Sequence, residues 1–148
     1  MAKRTQAPVI LKPANFVITT LLRAGVPIGH MSLLTVRGRK SGQPRTTPVW
    51  VEEHNGQRWV ISPYGQVNWV RNLRAAGEAT VTRGRRTERV ASVELPPSEA
   101  APKLKQSLGA APAMLQGYFD VTPDAPLADF EREVPRHPVF LLKSAAEQ

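Results

Sequence analysis

Apolar and β-branched residues are grouped in short stretches separated by polar, turn-forming residues, which is typical of β-strands joined by tight connections. The three strongest stretches are rich in Val, Thr, Leu and Trp and run from Met31 to Arg37, Thr46 to Glu53 and Arg58 to Ser62. The connection 54–56 contains an Asn-Gly pair, which readily adopts the positive φ of a tight turn. The second and third strands are therefore predicted to form a hairpin.

Further strands are predicted from Ala79 to Thr82, from Arg86 to Leu95 and from Val139 to Leu142. The first two of these are joined at Arg83-Gly84-Arg85, a second tight turn. Because the strands are short and the helices are inserted without regular alternation, a parallel βαβ sheet is disfavoured. The fold class expected is mainly β (α+β), a small barrel of about six strands with peripheral helices.

Helical spacing of apolar residues occurs outside these strands. The segments are Asn15 to Arg23, Asn68 to Ala76, Ser98 to Leu108, and two with broken periodicity, Ala111 to Tyr118 and Leu127 to Glu133. Asn68 is expected to cap the second helix through its side chain, and Gly77 is expected to end it.

Length and composition limit the possible classes of protein. A chain of 148 residues with 41% hydrophobic residues fits a single domain over 1–148, with the polar and basic residues 1–12 as a flexible terminus. The absence of cysteine excludes disulfides, thiolate metal ligands and cysteine nucleophiles. No signal peptide and no apolar run of about 20 residues is present, which predicts a cytoplasmic location. Contact with a membrane surface is only weakly supported, because the first helix has little basic charge.

The net charge of +8 favours an encounter with nucleic acid, an anionic membrane or an anionic ligand. Aromatic residues make up only 6% of the chain, and no basic strand with the aromatic pattern of RNA-binding modules is present. Nucleic acid is therefore not expected as a partner.

The most informative segment is Val36 to Arg45, where four cations, two glycines and a serine follow a strand without any acidic residue. Glycines allow backbone N–H groups to approach a phosphate, arginines can bind its oxygens in pairs, and lysine adds a mobile charge. A solvated basic hairpin has the same composition. The pattern alone leaves both interpretations open.

A second candidate segment runs from Ser62 to Trp69, where a strand end turns into a helix start. Backbone amides and the positive end of the helix could bind an anionic or polar ring edge there. A capping role for Asn68 and a core position for Trp69 explain the same pattern.

The other reactive residues form no catalytic group in the sequence. His30, His54 and His137 have no acidic partner at a metal-ligand spacing, and no serine lies in a Gly-x-Ser-x-Gly motif. Glu52 and Glu53 are adjacent on a predicted strand, so their side chains point to opposite faces and cannot act as an acid–base pair. Chemistry carried by a cofactor remains the natural enzymatic option.

Three segments, Leu33 to Pro48, Ser62 to Gly65 and Asn68 to Leu73, resemble the deazaflavin-dependent nitroreductase family of actinobacteria, which uses coenzyme F420 (8-hydroxy-5-deazaflavin). The resemblance covers the chain from about Leu33 to Val93, and the Gly-Arg-Lys-Ser-Gly-x-Pro-Arg run is its most specific part. It implies a split β-barrel of the FMN-binding type. The deazaflavin ring would lie in a groove, and the phosphate and oligoglutamate tail would meet basic residues.

The resemblance also implies a set of cofactor-binding residues. For the phosphate and tail these are Arg39, Lys40, Ser41 and Arg45; along the cofactor, Thr46, Thr47, Pro48, Val49 and Trp50; around the ring, Ile61, Ser62, Pro63, Asn68, Trp69 and Asn72.

The implied activity is hydride transfer from the reduced deazaflavin to an electrophilic small molecule, such as an activated alkene, a quinone or a nitroaromatic compound. Tyr118 is the candidate catalytic residue, since it would line the acceptor pocket and orient or protonate the acceptor; its ring could instead anchor an irregular segment to the barrel. Two alternatives stay open. One is a split barrel that binds FMN, and the other is a non-enzymatic barrel that binds anions or nucleic acid.

Overall fold

The computed structural model describes residues 18–24, 31–111 and 116–144. Within these ranges the strands are β1 Met31–Arg37, β2 Pro44–His54, β3 Gln57–Ile61, β4 Glu78–Arg83, β5 Arg86–Glu94 and β6 Val139–Ser144. The helices are α1 Asn68–Ala76, α2 Pro97–Ala110 and α3 Leu127–Glu133, with a 3-10 turn at Val134–Arg136. Residues 18–23 are also helical.

The strands form a closed antiparallel barrel in the order β1-β2-β3-β6-β5-β4, and β4 pairs back onto β1. One cluster of buried side chains takes members from every strand of the barrel, so it fills the interior. Val70 and Leu73 of α1 belong to the same cluster and are fully buried. Helix α1 therefore packs directly against the barrel core.

A second cluster lies on the outer face of β3 and β6. Successive residues of a strand point to opposite faces, so Val60 faces the barrel interior while Trp59 and Ile61 face outward. These outward side chains pack against Leu104 of α2 and Phe130 of α3, both fully buried. Helices α2 and α3 therefore cover one outer side of the barrel.

The predicted mainly β barrel of six strands with peripheral helices is confirmed. The predicted hairpin between β2 and β3 is present, and its turn residues Asn55 and Gly56 have φ values of 52° and 77°. Helix α1 has the predicted bounds, and Gly77 ends it in the left-handed conformation at φ 73°.

The predicted cap of α1 is wrong. The N-cap is Val67, whose carbonyl oxygen accepts hydrogen bonds from the N–H groups of Val70 (3.1 Å) and Arg71 (3.2 Å), and no side chain caps the helix. Asn68 is the first helical residue, and its side chain is exposed. Because the Val67 carbonyl already bonds the N–H groups of Val70 and Arg71, the Asn68 amide is not used as a cap and is available for another contact.

Other element ends differ by a few residues. Helix α2 starts at Pro97, one residue before the predicted Ser98, because proline fits the first turn of a helix. Strand β5 ends at Glu94, and the predicted last residue, Leu95, is buried with α2 instead. Residues 1–12 and 15–17 lie outside the described residues, as do residues 112–115 of the helix predicted from Ala111 to Tyr118.

Candidate active site

The turn between β1 and β2, residues 38–43, is closed by its own backbone. The N–H of Gly38 donates to the carbonyl of Gln43 (2.8 Å), and the N–H of Gly42 donates to the carbonyl of Gly38 (2.9 Å). A Cβ atom at Gly38 would lie 3.0 Å from Oγ of Ser41 and 3.2 Å from the Gln43 carbonyl oxygen, so a larger residue would require the turn to shift by a few tenths of an ångström. The side chains of Arg39, Lys40 and Arg45 are exposed around this compact turn.

A single amide fixes the turn to α1. Oδ1 of Asn72 accepts hydrogen bonds from the backbone N–H of Arg39 (3.1 Å) and from its Nη1 (2.7 Å). Asn72 is only 6% exposed, so the acceptor amide is largely shielded from water although Arg39 is exposed. The Arg39 guanidinium is therefore held in one orientation beside the helix.

The β1–β2 turn, helix α1 and strand β2 line a cleft with a volume of about 910 Å³. Of the cofactor-binding residues implied by the resemblance, all but Thr46 and Ser62 line this cleft. The lining members of that set are Arg39, Lys40, Ser41, Arg45, Thr47, Pro48, Val49, Trp50, Ile61, Pro63, Asn68, Trp69 and Asn72. Their cofactor contacts stay predictions.

The two remaining residues have structural partners next to the cleft. Oγ1 of Thr46 lies 2.8 Å from Oγ1 of Thr35 on the neighbouring strand β1. Ser62 is fully buried, and its Oγ donates to the Gly65 carbonyl at 2.6 Å. That bond shapes the turn that carries the chain from β3 into α1.

The candidate catalytic residue Tyr118 is not among the described residues that line the cleft. Its ring meets the ring of Tyr64 edge-on, with centroids 5.0 Å apart, and it is 8% exposed. Tyr64 does line the cleft. Burial, with a smaller contribution from Tyr118, raises the pKa of the Tyr64 phenol, so this hydroxyl stays a proton-bearing donor at neutral pH.

Sequence reasoning missed several lining residues. Arg71 and Gln66 are exposed at the cleft, and Tyr64 forms part of its wall. Arg71 could have been found from helix periodicity, because residues three apart, such as Asn68 and Arg71, lie on one helix face. Gln66 gives no comparable signal in the sequence.

A small apolar recess adjoins the cleft beneath β2 and β3. It has a volume of about 30 Å³ and shares Trp50, Ile61 and Pro63 with the cleft wall. Glu52 also lines it and is 7% exposed, and its Oε2 accepts a hydrogen bond of 2.7 Å from Nε1 of Trp50. Glu53 is exposed, as expected for the opposite face of the strand.

A smaller groove of about 560 Å³ also borders the basic turn. It shares Gly38 and Arg39 with the cleft and adds the arginines Arg37 and Arg89. Arg89 lies 3.4 Å from a carboxylate oxygen of Glu78. The basic turn therefore borders two concave surfaces.

Two other kinds of feature are absent from the described ranges. Within 18–24, 31–111 and 116–144 there is no group of three or more His, Asp or Glu side chains that could hold a metal ion. In the same ranges no helix is long and apolar enough to cross a membrane. The cytoplasmic location stays a prediction.

The family model described as F420H(2)-dependent quinone reductase matches residues 14–123. The chain belongs to this family. It is accordingly an enzyme, an oxidoreductase that depends on reduced coenzyme F420, and the predicted family and cofactor are confirmed. Actinobacterial origin stays a prediction. No curated protein matches the chain significantly in sequence.

Solved structures support the fold. An F420-H2 dependent reductase (FDR-A) is 23% identical, with a TM-score of 0.56 over 78% of this chain and 95% of its own. A structure described as a domain-swapped dimer is 21% identical, with a TM-score of 0.58 over 93% and 100%. General Stress Protein 26 from Bacillus anthracis is 11% identical, with a TM-score of 0.52 over 86% and 85%. These proteins share the split-barrel fold with this chain.

Proposed function

We propose that this oxidoreductase transfers a hydride from reduced coenzyme F420 to a quinone-type acceptor bound in the cleft. One observation carries the proposal: the cleft is cationic around the β1–β2 turn and aromatic further along β2. Arg45 and Trp50 are five residues apart on this strand, which corresponds to about 17 Å. An extended ligand with an anionic end and a planar end matches that arrangement.

The cationic end suits the phosphate and glutamate tail of the cofactor. Arg39, Lys40 and Arg45 offer charge-assisted hydrogen bonds around a turn that contains no acid. Asn72 holds Arg39 in place before the ligand arrives, which lowers the entropy cost of binding. The groove with Arg37 and Arg89 offers further cationic contacts to a tail that passes the turn.

The aromatic end of the cleft suits the deazaflavin ring of the cofactor. Trp50, Pro63 and Trp69 provide flat apolar surfaces, and the exposed amides of Asn68 and Gln66 lie near them. When bound, the cofactor supplies the hydride, and these side chains orient its ring and exclude water.

The cleft is also large enough for an acceptor. Its volume of about 910 Å³ lies in the upper part of the range of about 300–1,000 Å³ for small-molecule sites. A planar quinone could therefore stack against the ring. The family description names quinones as acceptors, which supports this choice over nitroaromatic compounds and activated alkenes.

The experiment combines a binding titration with an exchange assay. Oxidised coenzyme F420 and FMN are titrated separately against the protein, and only the deazaflavin is expected to bind tightly. Reduced coenzyme F420 is then mixed with menadione, a nitroaromatic compound or an activated alkene, and return of the oxidised absorbance is followed. We expect the highest kcat/KM with menadione. Tight binding of FMN with no binding of the deazaflavin would contradict the proposal.

A further inference from the structure

Glu52 is a buried carboxylate to which the proposed function assigns no role. It follows Trp50 by two residues on β2, so both side chains lie on the same face of the strand. A carboxylate that is 7% exposed is unusual, because burial of the charged form is costly without a partner. The indole N–H of Trp50, at 2.7 Å, is such a partner.

The recess brings this carboxyl group together with residues of the aromatic end of the cleft. The two cavities share Trp50, Ile61 and Pro63 as walls, and Glu52 is hydrogen-bonded to the first of these. The recess, at about 30 Å³, is too small for a whole quinone. Trp50 lines the cleft and donates to Glu52, so the carboxyl group lies one side chain away from a ligand in the cleft.

The other ionisable groups near the recess have partners elsewhere. Lys103 of α2 lies 4.7 Å from the Trp59 ring centroid and donates to Oε1 of Gln57 at 2.8 Å. His137 stacks on Phe119 at 3.9 Å, and its Nε2 lies 3.5 Å from Glu133. Among the described residues that line the recess, Glu52 alone is ionisable.

We propose that Glu52 supplies the proton that accompanies hydride transfer, an inference that rests on the proposed function. The hydride brings two electrons to the quinone, and negative charge develops on its oxygen. The O–H bond of the Glu52 carboxyl group breaks and a new O–H bond forms on that oxygen. Glu52 is left as a carboxylate that accepts the Trp50 N–H, and it regains a proton from solvent. When bound, the cofactor would supply the hydride and release its second hydrogen to solvent as a proton, so that the quinone gains two hydrogens overall.

Two variants on one strand provide the test. Glu52→Gln keeps the shape and an oxygen acceptor for Trp50 but has no acidic proton, whereas Glu53→Gln makes the same change on the exposed face. With menadione, Glu52→Gln is expected to lower kcat at least about 100-fold, with little change in Kd for coenzyme F420. Glu53→Gln should leave both unchanged.

The outcomes separate this inference from the proposed function. A wild-type protein that binds coenzyme F420 but does not reduce menadione would refute the function itself. A wild type that reduces menadione, with Glu52→Gln at the same kcat, would overturn the role of Glu52, since a residue that only accepts the Trp50 N–H is replaced by glutamine without loss. If Glu52→Gln fails to fold, Glu52→Ala replaces it. A kcat with menadione equal to that of the wild type would then overturn the proposal.

Discussion

At the scale of single residues, the cationic end of the cleft depends on the side-chain amide of Asn72. Replacement by alanine removes both acceptor contacts to Arg39 and frees the guanidinium. We expect a loss of about 1.5 kcal/mol in affinity for coenzyme F420, the lower end for hydrogen bonds to charged groups, or about tenfold in Kd. Fluorescence titration measures it.

The control for this variant lies on another helix. Arg132→Ala removes an exposed ion pair with Asp129 on α3, outside the cleft lining, and should leave the Kd unchanged. If Asn72→Ala and the wild type have the same Kd for coenzyme F420, the Asn72 amide does not anchor Arg39 for cofactor binding.

The structure supports one of the two roles that the sequence leaves open for Tyr118. The sequence offered two roles, proton donor or packing anchor, and the edge-on contact with Tyr64 supports the second. We expect Tyr118→Phe to keep kcat with menadione within about twofold, because the ring contact survives the loss of the hydroxyl. A decrease of about 100-fold would restore Tyr118 as the general acid. Steady-state kinetics at saturating cofactor distinguishes the two.

The sequence could predict most lining residues of the cleft but not the chemistry of Glu52. The lining residues fall in consecutive motifs, so their proximity follows from one hairpin and one helix. The role proposed for Glu52 depends on the recess that it lines together with Ser107 and Phe119. These two residues are distant from Glu52 in sequence, and their positions follow from the packing of α2 and of the segment around Phe119. Its spacing of two residues from Trp50 is the one part of this arrangement that the sequence itself displays.

At the scale of elements, positions of turns were predictable because they rest on local conformational preferences. The Asn55-Gly56 pair and Gly77 have the positive φ values that their residue types favour. The cap of α1 was not predictable in this way, because the carbonyl of Val67 satisfies the N–H groups that Asn68 was expected to bind. Every residue has a backbone carbonyl, so the residue type at position 67 does not indicate this contact.

Two glycines give a matched test of this reasoning. Gly77 ends α1 at φ 73°, and a Cβ atom added there would meet open space, so Gly77→Ala should cost about 1 kcal/mol of unfolding free energy through backbone strain alone. Gly109 lies within α2, also in open space, and Gly109→Ala should stabilise by about 0.5–1 kcal/mol. Urea unfolding measures both, and a shift of the same sign in the two variants would contradict the argument.

At the scale of the whole molecule, His137 links the β3–α1 turn to the C-terminal segments. It is fully buried, its Nδ1 donates to the Ser62 carbonyl at 3.1 Å, and its ring stacks on Phe119. Burial lowers the pKa of His137, although the Ser62 carbonyl and Glu133 oppose that shift and Arg136 adds to it. The folded state therefore resists protonation of this ring.

The lowered pKa of His137 makes the stability of the folded state depend on pH. The unfolded chain protonates histidine at about pH 6.5, while the folded chain does so only at lower pH, so stability is lost as the pH falls below about 6.5. We expect Tm to decrease from pH 7.5 to pH 5.5, and His137→Gln to flatten this slope relative to the wild type. The exposed His54 provides the control, and His54→Gln should keep the slope. If His137→Gln shows the same decrease of Tm as the wild type, groups other than His137 cause the pH dependence.

The net charge of +8 predicts how cofactor binding responds to salt. Coenzyme F420 has a phosphate and several carboxylates, and the cations it would meet are exposed, so salt screens their attraction. We expect the Kd of coenzyme F420 to rise steeply with ionic strength, while that of the deazaflavin riboside, which lacks phosphate and tail, changes little. Replacing Arg39 and Lys40 together by alanine should cost at least about 1.5 kcal/mol and should reduce the salt dependence. The riboside should bind this double variant and the wild type equally, because the ring end is intact. Equal salt dependence for both ligands would mean that the cationic turn does not contact the tail, and the polyanion would then have to bind elsewhere on the barrel.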